Sequence, residues 1–300
     1  MPGISVVIPT KDRLRCLQRA VPMFLEFDEV EEVIIVIDGC SDSTLEYVKA
    51  AVTKDKRIKY ADNIVNRGLP YSRNKGIELA ECEYVFTGED DLELSSDFFV
   101  TLLSHMQKTG ADIISGRNIF KFEKESAAAA IRRTDSIKGD AVDRQAIMVQ
   151  TGIGVNEDQD QTLLPAPMLG STAVFRKVKF DESYLVNAWR EESDFQLSAR
   201  ESGCKLVFCP HAISFNLMIE NDRGGVHYSG KAKKLVWTVK NNWRFIRKHR
   251  MLIVREFDIG NQYVYIAKFA VRRTAHEIIL IILPMLINAK RKVLATIHNS

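Results

Sequence analysis

The sequence predicts an α/β protein: a mostly parallel sheet with helices on both faces, followed by a basic, mainly helical C-terminal extension. Short apolar runs alternate with segments of helical periodicity through residues 1–115, an order typical of parallel strands joined by helices. The hydrophobic share of 46% and the charged share of 27% argue against disorder, collagen-like repeats and a polytopic membrane protein. Residues 231–300 carry 15 Lys and Arg against 3 Asp and Glu, whereas residues 1–230 carry 27 against 36.

Five strands are predicted from short apolar runs, each flanked by residues that favour turns. The clearest is VIIVI, whose β-branched residues indicate a parallel strand buried on both faces. The predicted strands are Ile4–Ile8, Val33–Ile37, Ile58–Tyr60, Tyr84–Thr87 and Ala111–Ser115.

Four helices are predicted between these strands, over residues 14–24, 43–53, 70–80 and 96–110. Pro22 is expected to bend the first, and Pro70 suits the first turn of the third. Ser96 is expected to cap the fourth, and Gly110 to end it. Residues 123–165 are less regular, and we expect them to form an insertion over the functional site.

The cysteines and the N-terminal residues predict a reducing, cytoplasmic location. The five cysteines are odd in number and no two have CxxC spacing, which argues against a disulfide framework or a structural zinc site. The N-terminal segment MPGISVVIPTKDR lacks the apolar region of a signal peptide. We expect two domains, a ligand-binding and catalytic domain over residues 1–215 and a basic, aromatic-rich region over residues 216–300.

Polar side chains follow four of the predicted strands directly. They include Thr10 and Asp12 after the first strand, Asp38 after the second, and the acids of Glu89-Asp90-Asp91 after the fourth. Ligands of open α/β sheets bind at the carboxyl ends of the strands. Carboxylates that hold a divalent metal, together with a fixed guanidinium, suit a nucleotide diphosphate. An acidic turn alone is more often merely exposed, but its place after an apolar strand favours a functional site.

Six segments in order resemble the family 2 glycosyltransferases of GT-A fold, over roughly two thirds of the chain. They are SVVIPTKDR (Ser5–Arg13), VIDGCSDST (Val36–Thr44), NRGLPYSRNKG (Asn66–Gly76), YVFTGEDDLEL (Tyr84–Leu94), LGSTAVFRK with FDE (Leu169–Glu182) and REESDFQLSARESG (Arg190–Gly203). The resemblance implies a GT-A fold and a nucleotide-sugar donor. It implies donor contacts from Pro9, Thr10, Asp12, Asp38, Arg73, Asn74 and Asp90.

Two positions depart from the pattern of this family. The first carboxylate of the metal motif is Glu89 rather than Asp, so Asp91 is expected to be the main ligand of Mn²⁺ or Mg²⁺. The position of the catalytic base holds Glu192 rather than Asp, with Glu191 beside it and Asp194 two residues on. Glu can abstract a proton if it reaches the acceptor hydroxyl. The resemblance implies one displacement that inverts the anomeric centre.

The function predicted from the sequence is therefore sugar transfer from a nucleotide-sugar to a hydroxyl of a polysaccharide, a lipid-linked sugar or a glycan. The alternative is a catalytically weak sugar-nucleotide-binding or assembly subunit on the same fold, which Glu89 and Glu192 keep open.

The C-terminal region contains an uncharged run, Ile278–Ala289, which is too short to span a bilayer. Its basic flanks are compatible with an interfacial segment on an anionic membrane, which would make the protein peripheral at the cytoplasmic face. They are equally compatible with a helix that packs on the catalytic domain. Nucleic acid is the weakest interpretation, because the remainder of the chain is acidic, and we expect no nucleic-acid partner.

Overall fold

The computed structural model describes residues 3–137, 139–218 and 230–276. Its main sheet has nine strands, in the order β3-β2-β1-β4-β10-β6-β11-β5, with β9 also paired to β11. A separate hairpin joins β7 and β8. The strands are β1 (Ile4–Thr10), β2 (Val30–Ile37), β3 (Ile58–Asp62), β4 (Tyr84–Thr87), β5 (Leu92–Leu94), β6 (Ile113–Phe122), β7 (Val142–Asp143), β8 (Met148–Val149), β9 (Gln159–Asp160), β10 (Met168–Ser171) and β11 (Leu206–Met218).

Helices cover both faces of this sheet, which confirms the predicted α/β class. They are α1 (Leu14–Leu25), α2 (Thr44–Lys54), α3 (Leu69–Leu79), α4 (Phe98–Thr109), α5 (Ala127–Asp135), α6 (Thr172–Val178), α7 (Glu191–Glu201), α8 (Lys231–Lys248) and α9 (Arg250–Glu256). A further helical run covers residues 262–276.

The core lies in two layers because successive strand side chains point to opposite faces. Val6 and Ile8 of β1 pack in one layer with helices α1 and α4, whereas Val7 packs in the other with Ile34 of β2. All four side chains are at most 1% exposed. Burial on both faces explains why β1 and β2 read as continuous apolar runs.

Strand β1 extends two residues beyond the predicted end, through Pro9 to Thr10. Pro9 lies beside Val36 of β2, but the pairing of β1 with β4 ends earlier, at Val7 and Thr87. A proline lacks the N–H for a ladder hydrogen bond. It is tolerated here because only one neighbouring strand continues past it.

The sheet contains an antiparallel strand that the sequence analysis did not predict. Strand β10 lies between β4 and β6 and is antiparallel to both. Its four residues, MLGS, include no β-branched side chain, so strand propensity gives little signal. Gly170 is required there, since a Cβ would lie 2.9 Å from the Phe175 ring and 3.0 Å from the Asp112 carbonyl oxygen.

The C-terminal helices pack on the α/β domain through an apolar cluster of their own. Phe245 and Ile246 of α8 and Ile253 of α9 are fully buried against Tyr184 and Leu197. The boundary predicted at residue 215 falls inside β11. Among the described residues, no helix is both long and apolar enough to cross a membrane. The uncharged run Ile278–Ala289 lies outside the described residues.

Candidate active site

A cleft of about 260 Å³ opens at the carboxyl ends of β1, β2 and β4. Seven of the predicted site residues line it: Pro9, Thr10, Asp38, Arg73, Glu89, Asp90 and Asp91. Within the described parts of the chain, no residue of 123–165 lines this cleft. The predicted insertion therefore does not contribute to its walls.

One wall of the cleft is a turn that Asp38 holds in place. One carboxylate oxygen of Asp38 accepts hydrogen bonds from the Arg67 N–H at 2.7 Å and the Asn63 side-chain amide at 3.0 Å. The other oxygen accepts from the Gly68 N–H at 3.0 Å. Gly39 follows with a φ of 63°, and a Cβ there would lie 2.4 Å from the Asn66 nitrogen. Asp38 and Gly39 thus fix the loop that leads into α3.

Arg13 binds two of the predicted acidic residues at once. Its guanidinium donates to Asp90 Oδ1 at 2.5 Å and to Asp91 Oδ2 at 2.8 Å. The second oxygen of Asp90 accepts from the Thr10 hydroxyl at 2.7 Å. Burial alone would lower the pKa of Arg13, but the two carboxylates raise it above its usual value. Arg13 therefore stays charged and holds the end of β1 against residues 90 and 91.

Arg73 of α3 lies at the centre of a second group of charges and is only 1% exposed. Its Nη2 is 2.9 Å from Glu192 Oε1 and 3.3 Å from Glu89 Oε1. Its Nε is 3.1 Å from Glu191 Oε1. The guanidinium also lies over the Phe180 ring, 5.4 Å from its centroid. Three carboxyl groups from two distant segments thus converge on one buried cation.

Burial and neighbouring carboxylates raise the pKa values of two carboxyl groups in this cluster. Burial raises the pKa of Glu89 to about 8, and Asp91 adds to the effect while Arg73 opposes it. Burial and the neighbouring Glu192 raise the pKa of Glu191 well above its usual value. Without a bound cation, both carboxyls therefore favour the protonated form.

Glu191 and Glu192 begin α7 side by side but differ in accessibility. The side chain of Glu191 is fully buried, whereas that of Glu192 is 27% exposed. Neighbouring positions on a helix point about 100° apart, so one can reach an incoming molecule while the other faces the interior. Neither residue is among the described residues that line the cleft, but the side chain of Glu192 is partly accessible and that of Glu191 is not.

Asn74 and Asp12 lie beside the cleft rather than in its lining. Asn74 bridges to a neighbouring segment: its amide donates to the Phe180 carbonyl oxygen and to Glu182, both at 2.9 Å, and accepts from the Phe180 N–H. Asp12 accepts from the Ser41 N–H at 2.5 Å. Burial opposes ionisation of Asp12, but Ser41 and Lys11 lower its pKa below the usual value. Both side chains are occupied in bracing loops.

Asp194 points away from the cleft and into the junction with the C-terminal helices. It accepts from the Tyr184 hydroxyl and lies beside His249 Nε2, each at 2.9 Å, and it binds Lys248 at 2.7 Å. Asp194 is 1% exposed and His249 is fully buried. These contacts engage Asp194 in the junction, and it is not among the described residues that line the cleft.

The acids at positions 89–91 fit a divalent cation by their chemistry. Carboxylate oxygens are the ligands that Mg²⁺ and Mn²⁺ prefer. Asp90 uses both oxygens, for Arg13 and Thr10, whereas Asp91 pairs with Arg13 through Oδ2. Burial first, and then the neighbouring Asp91, raise the pKa of Glu89, and a bound cation would favour its ionised form. Asp91 and Glu89 are the residues of this group that could hold such a cation.

The sequence analysis did not assign a role to two lining residues that bind the predicted acids. Asn216 of β11 lines the cleft and donates to Glu89 Oε2 at 3.3 Å. Arg13 was quoted only as the end of a motif, yet it neutralises two of the acids. A basic residue directly after the first strand was the available signal for Arg13. Asn216 gave no signal, because only the pairing of β11 with β5 brings it near Glu89.

Comparison with known proteins identifies relatives for this chain. The model of the family described as glycosyl transferase family 2 matches residues 5–178. A protein of Escherichia coli (strain K12), described as a colanic acid biosynthesis glycosyl transferase, WcaA, is 34% identical over 36% of this chain and 39% of its own. The GalNAc(5)-diNAcBac-PP-undecaprenol beta-1,3-glucosyltransferase of Campylobacter jejuni is 30% identical over 46% of each chain. The chain thus spans less than half the length of these relatives.

Solved structures confirm the predicted GT-A fold. GalNAc-T7 with UDP, GalNAc and Mn²⁺ superposes with a TM-score of 0.62 at 14% identity, covering 82% of this chain and 48% of its own. Staphylococcus aureus TarS 1–349 in complex with UDP-GlcNAc gives 0.59 at 14% identity, covering 90% and 72%. Because the family match covers more than half of the chain and the fold agrees, this chain belongs to glycosyl transferase family 2.

Proposed function

We propose that this chain is an inverting glycosyltransferase that moves a sugar from a nucleotide-sugar donor to an acceptor hydroxyl, with Mn²⁺ or Mg²⁺. The observation that carries the proposal is the buried Arg73 with Glu89, Glu191 and Glu192 within 3.3 Å of its guanidinium. These charges lie beside a cleft at the carboxyl ends of the strands, where open α/β sheets bind ligands.

The donor would lie between the Asp38 turn and the acids at 89–91. Pro9, Thr10 and the Asp38 turn would form the nucleotide side of the cleft, and Arg73 would face the diphosphate. Bound UDP in GalNAc-T7 and UDP-GlcNAc in TarS make UDP-sugars the first donors to test. Asn74 and Asp12 would act as positioning residues that keep this wall rigid.

The cation would be held by Asp91 and Glu89, with Asp90 kept in place by Arg13 and Thr10. When bound, it would act as a Lewis acid toward the negatively charged diphosphate. Arg13 and Arg73 would add fixed positive charge on the same side of the cleft. Charge that is already oriented stabilises a developing anion without reorganisation.

Glu192 would be the general base. The acceptor oxygen would form a bond to the sugar C1 while the C1–oxygen bond to the diphosphate breaks, and the hydroxyl proton would pass to the Glu192 carboxylate. Attack from the face opposite the leaving group inverts the anomeric centre. General base catalysis of this kind contributes on the order of 100- to 10,000-fold.

Release of UDP from a panel of UDP-sugars with Mn²⁺ tests the proposal directly. Glu192→Gln should keep donor binding and lose turnover. Asp91→Ala should lose the turnover that the added cation supports. Glu157→Gln is the matched control, because Glu157 is exposed and remote from the cleft lining. Donor binding without nucleotide release in the unmodified protein would favour the alternative, a sugar-nucleotide-binding or assembly subunit.

We further propose that the acceptor is a growing polysaccharide or a lipid-linked sugar and that transfer occurs at an anionic membrane surface. The names of the relatives support this, since they include a glucosyltransferase acting on an undecaprenol-linked glycan and a poly-beta-1,6-N-acetyl-D-glucosamine synthase. Several large apolar side chains of the C-terminal helices are also exposed, among them Met251 at 83% and Val236 at 63%. Apolar side chains among basic ones are typical of helices that lie in a membrane interface.

A further inference from the structure

A second cleft, of about 500 Å³, lies between the hairpin residues 145–148 and the helical run 262–276. Among the described residues it shares no lining residue with the donor cleft. Its lining is strongly basic: Lys268, Arg272, Arg273 and His276 face a single acid, Asp258, among the described lining residues. This charge balance is complementary to an anion.

Both basic and apolar side chains line this cleft, and the last three lining positions of the helical run are all basic. Positions 265, 268, 269, 272, 273 and 276 repeat with helical spacing, so one face of the helical run forms the wall. Tyr265 and Phe269 lie toward the start of that face, with Val264 and Met148 nearby in the lining. From residue 265 to residue 276 the helix rises roughly 16 Å, enough for an elongated molecule with one apolar and one charged end.

The segment 186–190 separates the two clefts and contacts both. Val186 and Ala188 line the donor cleft. Trp189 packs against Phe269 of the second cleft, with ring centroids 6.5 Å apart, and Arg190 donates to the Ala146 carbonyl oxygen at 3.2 Å. The next residues along the chain are Glu191 and Glu192, at the start of α7.

This segment also has an unusual backbone. The φ angles of Val186, Ala188 and Arg190 are 70°, 47° and 76°, in the left-handed region that favours glycine. Such a conformation is unfavourable for a residue with a side chain and persists only where the surroundings enforce it. Here the contacts of Trp189 and Arg190 with the second cleft enforce it. The base and the second cleft are thus joined by a short segment in a fixed conformation.

We infer that the second cleft binds the phosphate-bearing end of an amphipathic acceptor, and this inference rests on the proposed transferase function. The phosphate pairs with Lys268 and Arg272, and the apolar part lies on Tyr265 and Phe269. An acceptor held there lies beside the segment 186–190, which leads into Glu191 and Glu192 at the start of α7. The chemical class is an alkyl or prenyl phosphate that also carries a hydroxyl-bearing sugar.

Binding of farnesyl phosphate to the full chain, with saturating UDP present to fill the donor cleft, tests this assignment by calorimetry. Lys268→Glu with Arg272→Glu should weaken binding about 10- to 100-fold or more, since charge-assisted hydrogen bonds are lost. The control is Lys233→Glu, which makes the same kind of change at an exposed position of α8 and should bind like the unmodified protein. Equal affinity of the cleft variant and the control would overturn the assignment.

Two further measurements test the apolar part of the ligand and distinguish an acceptor from a membrane lipid. Val264→Ser, at a half-exposed lining residue, should weaken farnesyl phosphate about three- to tenfold and leave inorganic phosphate unchanged. Equal affinities for the two probes in the unmodified protein would refute the apolar half of the site. If Arg272→Glu alone loses flotation with phosphatidylglycerol vesicles while Lys233→Glu keeps it, the cleft holds a membrane lipid and not an acceptor.

UDP binding is measured separately in each variant. A protein that binds UDP but not farnesyl phosphate contradicts the second cleft alone, whereas a protein that binds neither UDP nor any other nucleoside diphosphate contradicts the transferase proposal itself.

Discussion

The pKa of Glu89 predicts that the cation-free protein becomes less stable as the pH rises. Burial, with Asp91 nearby, raises the pKa of Glu89 to about 8 from a usual value of 4.5. Between these two values the unfolded chain has already lost this proton while the folded chain keeps it, so the free energy of unfolding falls with increasing pH. The limiting slope is about 1.4 kcal/mol per pH unit.

The magnitude follows from the window and the environment. From about pH 6 to about pH 8 the slope gives at most about 2.7 kcal/mol. The Glu89 side chain is 22% exposed, and solvent there screens part of the effect, so we expect a loss of about 1–2 kcal/mol from this group. Added Mn²⁺ should oppose the loss, because a cation at Glu89 and Asp91 favours the ionised carboxyl.

Urea denaturation in EDTA, at about pH 6 and about pH 8, measures this effect against a variant that cannot ionise. Glu89→Gln should lose less stability between the two conditions than the unmodified protein, by the same 1–2 kcal/mol. Glu157→Gln, at an exposed position, should follow the unmodified protein. If Glu89→Gln shows the same pH dependence as the unmodified protein, Glu89 is not the group that titrates, and the reasoning fails.

Three other substitutions test separate parts of the structure. Glu191→Gln should keep most of the turnover, because Glu191 is fully buried; steady-state kinetics that match the loss in Glu192→Gln would give Glu191 the base role. Asp194→Asn should lower the free energy of unfolding by about 2–4 kcal/mol, since a buried charge network loses its centre, and an unchanged urea midpoint would contradict this. Met251→Glu should reduce flotation with anionic vesicles while turnover on a soluble acceptor is kept; unchanged flotation would remove α9 from the membrane-facing surface.

Much of the parallel half of the fold could be predicted from the sequence because its signals are local. Runs such as VIIVI are buried on both faces of the sheet, so every residue in them is apolar. Strand β10 could not be predicted in this way, because its position between β4 and β6 depends on pairing partners more than 50 residues away. The last residues of β11 likewise depend on distant partners, since they pair with the end of β6 and with β5.

Site residues that directly follow a strand could be predicted from the sequence, whereas those on helices were harder to predict. Arg73 and Asn74 are adjacent on α3, so they point in different directions and cannot both face the cleft. The sequence motif names both residues, but the structure places Arg73 in the cleft lining and turns Asn74 toward Phe180. The role of Arg13 depends on acids 77 and 78 positions further along the chain, a distance over which spacing carries no information.

The junction around Asp194 limits how this protein can be shortened. Lys248 and His249 bind Asp194 from outside the α/β domain, and the same helices cover Tyr184 and Leu197. Deleting everything after the sheet would expose this apolar patch to solvent. It would also leave the Asp194 carboxylate without Lys248 and His249. Such an excised domain would be prone to aggregate, so an expression design should retain α8 and α9 and trim only beyond them.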